Sequence, residues 1–232
     1  MINCQKVLIV LAHPDDEVLG CGGFIKLLTN KGKEIRIVIL GEGSSCRWNL
    51  NMINSQKVTN AKLQRQKFAK KAFKILGVKN YLFHELPCGR FDTIALIDIV
   101  KIIENEIKSF KPDTIITHYE NDTNSDHRIS FQATNIATRP VDNLIKNILC
   151  CEIPSSTEWR MSKVFKPNMF VDIETTILKK IEAFNCYYET EGKPFPFPRS
   201  KEGLETFAKY RGIQAGLSYA EAYSIIRTNV VI

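Results

Sequence analysis

The first regular pattern in the chain is a continuous apolar run from Lys6 to Ala12, as expected of a strand buried on both faces. Apolar positions then switch to helical spacing from Val18 to Asn30, and Gly32 ends that segment. Glu34 to Leu40 is a second β-branched strand, followed by a loop from Gly41 to Ser45. Residues from about Asn60 to Leu76 read as a basic amphipathic helix closed by Gly77, and Tyr81 to His84 as a short strand. Ile94 to Phe110 is helical, with Ile97, Val100, Ile103 and Ile107 in phase, and Lys111-Pro112-Asp113 breaks it. Thr114 to His118 is another buried strand, Ser130 to Thr138 a helix, and Ile148 to Ile153 strand-like. The last third is less regular. Met169 to Ile173 reads as strand, Thr175 to Tyr188 as helix, the proline-rich Pro194 to Pro198 as loop, and Leu204 to Gly216 as helix.

Strands alternating with helices imply parallel βαβ units with right-handed crossovers. The expected fold is α/β, a Rossmann-like, doubly wound, mostly parallel sheet flanked by helices. No linker or repeat interrupts it. The expectation is one domain over 1–232, with a core over about 1–153 and a C-terminal extension over about 154–232.

Composition narrows the class. The 232 residues are 44% hydrophobic and 25% charged, which excludes a disordered chain. The apolar run Val7 to Ala12 is far short of the roughly 20 residues that a spanning helix needs. It leads straight into acidic residues, so it does not read as a signal-peptide core, and cytoplasmic residence is the expectation. Seven cysteines with no Cys-x-x-Cys pair argue against a disulfide framework and a thiolate zinc knuckle. The net charge is +7, but basic residues are spread out, with mild clusters at Lys62 to Lys74 and Lys179-Lys180. That favours solvated helix faces over nucleic-acid binding, and suits a phosphorylated or nucleotide-linked small molecule.

The chemistry concentrates in two places. His13-Pro14-Asp15-Asp16-Glu17 follows the first strand directly, where open α/β sheets bind ligands. Three adjacent acids repel unless a cation or hydrogen bonds compensate, which asks for a metal. The second cluster, His118 to His127, follows the fourth strand and holds two more of the four histidines. In a doubly wound sheet the first and fourth strands are neighbours across the switch point, so the clusters could meet. Imidazoles with a carboxylate form the ligand set of a catalytic zinc, which keeps one position open for water. The competing reading is a set of turns and helix caps, since Asp and Asn favour both.

At these residues the sequence resembles the LmbE-like, or PIG-L, family of zinc-dependent N-deacetylases. Ala12-His13-Pro14-Asp15-Asp16-Glu17 matches the family signature completely, and Leu19 to Gly23 resembles its glycine turn. Asp126-His127 matches the second motif, and similarity continues through Thr117-His118, Asp122, Asn124, Arg139-Pro140, Ser155 to Trp159, Lys166-Pro167-Asn168 and Arg211-Gly212. The resemblance implies that His13, Asp16 and His127 hold the metal and that Asp15 is the general base. Zn2+ is the implied cofactor, and Fe2+ suits the same ligands. The implied reaction hydrolyses the acetamido group of an N-acetylated sugar, glycoconjugate precursor or nucleotide sugar. Homo-oligomers are common in the family and are an expectation here.

Two departures from the family pattern stand out. Asn124 replaces a frequent histidine assigned to the oxyanion, leaving Asn124 or His118 for that role, and the second helix carries Arg65-Gln66-Lys67 where arginine then glutamate is frequent. Asp126 is expected to orient an imidazole from behind, and Glu17 to do likewise or to cap the following helix. Arg47, Arg90, Asp92, Arg139 and Trp159 are candidates for substrate contact. Each has a plainer alternative: a solvated loop residue, a salt bridge, or core packing for Trp159. His84 reads as an ordinary, partly buried histidine. Gly20 to Gly23 lacks the spacing of a dinucleotide-binding loop. Two other functions remain alternatives. One is a catalytically silent sugar-binding protein, which loss of a ligand or of Asp15 would mark; none is lost. The other is a metal hydrolase of a different amide or an ester.

Overall fold

The computed structural model describes residues 4–141 and 144–229. Its strands are β1 (Lys6–Leu11), β2 (Glu34–Gly41), β3 (Asn80–Leu86), β4 (Thr114–His118), β5 (Asn147–Cys151), β6 (Met169–Asp172) and β7 (Ala220–Thr228). The helices are α1 (Asp16–Asn30), α2 (Gln56–Leu76), α3 (Leu96–Phe110), α4 (Ser125–Ala137), α5 (Ile177–Asn185), the short α6 (Tyr188–Glu191) and α7 (Lys201–Ala215). One seven-stranded sheet runs β3-β2-β1-β4-β5-β7-β6. β1 to β5 are parallel, and β7 is antiparallel to both β5 and β6.

The unbroken apolar run of β1 has a simple cause: both faces of the strand are covered. Val7, Ile9 and Leu11 face a core built with α1, α2 and α5. Leu8, Val10 and Ala12 face a core built with α3 and α4. The expected doubly wound fold is therefore present, and strand order reverses between β1 and β4. No helix among the described residues is long and apolar enough to cross a membrane.

Several elements differ from the sequence pattern, each for a local reason. α2 starts at Gln56 because Ser55 caps it, accepting a hydrogen bond from Val58 N at 3.4 Å. α4 starts at Ser125 because Asn124 caps it, which puts Asp126 and His127 in its first turn. The expected helix Thr175 to Tyr188 is the shorter α5 followed by α6. β7 was not marked by the pattern at all. α1 is kinked: Cys21 leaves helical geometry (φ −147°, ψ 18°). The amides freed there, Gly23 N and Phe24 N, donate to Glu221 of β7 at 2.8 and 2.9 Å. Glu221 also pairs with the buried Lys180, whose Nζ is 2.7 Å from it and 2.8 Å from Leu19 O. The kink allows close packing, since a Cβ on Gly23 would lie 2.7 Å from Ile173.

Candidate active site

β1 delivers His13, Asp15 and Asp16 to the carboxyl edge of the sheet. Asp15 precedes α1 with a left-handed backbone, φ 118°. That conformation strains a residue with a Cβ and recurs at functional sites. Asp16 Oδ2 accepts from His13 N at 2.8 Å, which ties the Asp16 carboxylate to the backbone at His13. The neighbouring β4 ends in His118, whose Nε2 accepts from Ala12 N at 2.8 Å and ties the two motifs together. His118 stacks on His127, with ring centroids 3.9 Å apart and planes 10° apart.

The two clusters thus meet. Asp16 Oδ2 lies 3.7 Å from His13 Nδ1 and 3.4 Å from His127 Nε2. One donor atom from each of His13, Asp16 and His127 falls within 4.8 Å of the others, and all three residues are buried. His127 Nε2 is buried and makes no hydrogen bond among the described residues. A buried, unpartnered nitrogen facing a carboxylate is costly unless something occupies the space between them. The donor set therefore fits a divalent metal ion.

A carboxylate stands behind each of the two rings. His13 Nε2 is 2.9 Å from Asp126 Oδ2, leaving Nδ1 free to ligate. Asp126 is itself fixed by Gly89 N at 2.6 Å and Phe91 N at 3.2 Å. His127 Nδ1 lies 3.2 Å from Asp122 Oδ1. Asp122 is held by Ser156 Oγ, by Thr157 Oγ1 at 2.6 Å and by Asn124 N at 2.8 Å. Such partners orient the ring and raise its basicity. Although burial pulls it down, the Asp16 and Asp122 carboxylates hold the His127 imidazole up at about 10. Burial also pushes Asp16 up, but the His127 and His118 rings outweigh it and keep its carboxyl well below the usual range.

Asp15 sits beside this constellation in a buried ion network. Its Oδ1 is 3.0 Å from Arg65 Nη2, and its Oδ2 accepts from Arg199 Nη1 at 2.7 Å. Glu191 joins Arg65 at 3.0 Å and Arg47 at 2.7 Å. Arg199 reaches over from the loop after Pro198 and also donates to Ser155 Oγ at 2.6 Å. Burial raises the Asp15 carboxyl above its ordinary value against the pull of the two guanidinium groups. Glu17 accepts from Asp15 N at 3.0 Å and from Tyr187 OH at 2.5 Å. Among the described residues its hydrogen bonds go to the start of α1 and to Tyr187, and none goes to an imidazole. Burial pushes Glu17 up to about 8, against those hydrogen bonds.

The remaining candidates separate. His118 and Asn124 are engaged elsewhere: His118 accepts from Ala12 N, and Asn124 Oδ1 accepts from Asp126 N at 2.9 Å as the α4 cap. Burial pushes the His118 imidazole down to about 4, and with Nε2 accepting, its Nδ1 is left buried without a hydrogen-bond partner among the described residues. Arg90 lies between the two amides that hold Asp126, and Asp92 is exposed in the next turn. Arg47 is at the rim, paired with Glu191. Trp159 is 49% exposed, 6.0 Å from the Phe197 ring, so it is not a core residue. Arg139 is not brought to the site. It follows α4, whose 13 residues carry the chain about 20 Å toward the opposite sheet edge, and it lines a cleft with Glu104, Lys108 and Arg227. His84 is partly buried, as expected. Sequence reasoning gave no site role to Asp122, Arg65, Arg199, Glu191 or Tyr187. The signal for Asp122 was its place in the second cluster. The other four lie 48 or more positions from the signature, and the fold brings them to it.

Comparison with known proteins gives a consistent picture. A family model described as GlcNAc-PI de-N-acetylase, PIG-L, matches residues 8–138. The chain is 27% identical over 233 residues to a diacetylchitobiose deacetylase of Thermococcus kodakarensis, covering 97% of this chain and 84% of that one. Among solved structures, a 4-carboxy-2-hydroxymuconate hydratase from Pseudomonas putida superposes with TM-score 0.76 at 23% identity, covering 98% of both chains. An N,N'-diacetylchitobiose deacetylase from Pyrococcus horikoshii superposes with TM-score 0.73 at 21% identity, covering 97% of this chain and 85% of that one. A hydratase and a deacetylase on one fold show that the site, not the fold, must decide the chemistry.

Proposed function

This chain belongs to the PIG-L family of deacetylases, and on that premise we propose that it hydrolyses the acetamido group of an N-acetylated sugar, releasing acetate and a free amine. The observation that carries the reading is the convergence of His13, Asp16 and His127 beside a buried, cation-flanked Asp15. Those three residues would hold the metal, and two imidazoles with a carboxylate favour zinc, with iron(II) the alternative. Bound there, the ion supplies Lewis acidity, polarising an amide carbonyl and making water a nucleophile near neutral pH.

The protein's own groups supply the rest. Asp15 takes the proton of the attacking water and hands it to the departing nitrogen. A carboxyl raised toward the working pH suits both halves of that task. Arg65 and Arg199 grip its two oxygens and fix its direction. Asp126 and Asp122 keep His13 and His127 turned toward the ion. At the rim, half-exposed Trp159 offers a flat apolar face for a sugar ring. Arg47 and Arg90 offer cations, and Asp92 an acceptor, for hydroxyl or phosphate groups.

The test is metal content of the purified protein together with acetate release from a panel of N-acetyl sugars and nucleotide sugars. One equivalent of zinc or iron with chelator-sensitive acetate release is expected. A protein that takes up metal yet releases no acetate from any member of the panel would overturn the reaction.

A further inference from the structure

Two cysteines from different loops face each other at the edge of this site. Cys46 lies in the loop after β2 and Cys88 in the loop after β3, and their sulfurs are 3.0 Å apart. One buried carboxylate holds both loops. Glu42 accepts from Ser44 N at 2.7 Å and Ser45 N at 3.0 Å on one side, and from Cys88 N at 3.0 Å on the other. Gly89 lets the loops approach: its φ is 72°, and a Cβ there would crowd Cys46 Cβ at 3.1 Å. The two thiols differ in character. Cys46 is exposed and Cys88 is buried. The Cys88 thiol donates to the Cys46 sulfur, and Arg47 follows Cys46 directly in the chain. With one sulfur exposed and the other sheltered, the pair has an attacking and a resolving member.

We propose that Cys46 and Cys88 form a reversible disulfide under peroxide, and that this bond slows the enzyme by pulling on the loop that fixes Asp126. The Cys46 thiolate attacks one peroxide oxygen, the O–O bond breaks, hydroxide leaves, and Cys46 becomes a sulfenic acid. Cys88 sulfur then attacks that sulfur, and the S–O bond breaks. Hydroxide leaves again and combines with the Cys88 proton as water. The two sulfurs together lose two electrons and the peroxide gains them. The sulfurs must close from 3.0 Å to about 2.05 Å. That movement falls on neighbours of the site. Gly89 N and Phe91 N hold Asp126, Asp126 holds His13, and the Cys88 sulfur lies within 4.8 Å of a side-chain donor atom of each. On the other loop, Arg47 next to Cys46 anchors Glu191.

The coupling to turnover rests on the deacetylase reading; the bond itself does not. The protein is treated with a small excess of hydrogen peroxide, alkylated, digested and mapped by mass spectrometry. Expected is a peptide pair joined through Cys46 and Cys88, lighter by two hydrogen atoms than the separate peptides, released by a thiol reductant and missing in Cys46→Ser. Buried Cys4, Cys21, Cys150 and Cys151 should remain unlinked. Acetate release should fall about tenfold or more on oxidation, the usual cost of disturbing a ligand's supporting partner, and return on reduction. Oxidised Cys46→Ser should match its reduced form. Independent alkylation of Cys46 and Cys88 after peroxide would overturn the proposal, and so would a mapped bond with unchanged turnover. A reduced protein with no acetate release on any substrate would instead count against the deacetylase reading, leaving the mapped bond to stand.

Discussion

Asp122→Asn isolates the carboxylate behind His127. Asp122 is fully buried and takes Asn124 N and Ser156 Oγ on Oδ1 and Thr157 Oγ1 on Oδ2. An asparagine keeps one oxygen in the Oδ1 position, so two of those bonds persist. Its amide group then faces Thr157, whose hydroxyl can turn to accept while still accepting from Ile153 N. The cost to the fold is about one net hydrogen bond, roughly 1 kcal/mol. What disappears is the negative charge 3.2 Å from His127 Nδ1. Loss of such a partner costs about 10–100-fold in metal affinity, or roughly 1.4–2.7 kcal/mol. The assay is competition for zinc against a chromogenic chelator, run beside urea unfolding of the same preparations. Weaker zinc binding with near-parental stability is expected. Parental affinity with the fold intact would refute the reasoning and reduce Asp122 to a turn-former. An affinity loss that only tracks unfolding would do the same.

Three further outcomes follow from the same geometry. Asp15→Asn should retain metal, read by elemental analysis, while turnover falls about 10²–10⁴-fold; unchanged turnover removes Asp15 as the base. Arg199→Met breaks a charged hydrogen bond to Asp15 worth about 1.5–3 kcal/mol, so kcat/KM should drop about tenfold or more. Arg199→Lys should recover only part of it, because an ammonium cannot span Asp15 and Ser155 as the guanidinium does. Lys180→Met leaves Glu221 buried without its cation and should destabilise the fold by about 3–5 kcal/mol, lowering Tm by roughly 6–20 °C in calorimetry. An unshifted Tm would show that the three other hydrogen bonds to Glu221 suffice.

The parts of this protein legible in sequence are those that repeat or crowd. Strands covered on both faces leave unbroken apolar runs, so β1, β2 and β4 were plain, and their alternation with helices gave the topology. That topology then predicted that the residues after β1 and β4 would meet, as they do. Crowded carboxylates beside histidines marked the side chains that converge as candidate metal donors. Single residues joined only by the fold left no such trace. Arg199 lies 184 positions from Asp15, and nothing in its proline-rich surroundings points to a buried carboxylate. Arg139 misled for a related reason: a motif's neighbours in sequence can be a whole helix away in space. β7 escaped because Glu221, Ser224 and Arg227 break up its apolar residues, although its first four positions are buried.

The position of β7 also bears on how the protein is made. A strand from the end of the described chain lies inside the sheet, and its Glu221 receives Gly23 N across 198 positions of sequence. Until that strand has left the ribosome, β5 has an open edge and the second half of α1 lacks its cap. Contacts of this length make folding slow, since loop closure must precede their reward. During synthesis the kinked half of α1 therefore waits 198 positions of sequence for the carboxylate that receives its freed amides.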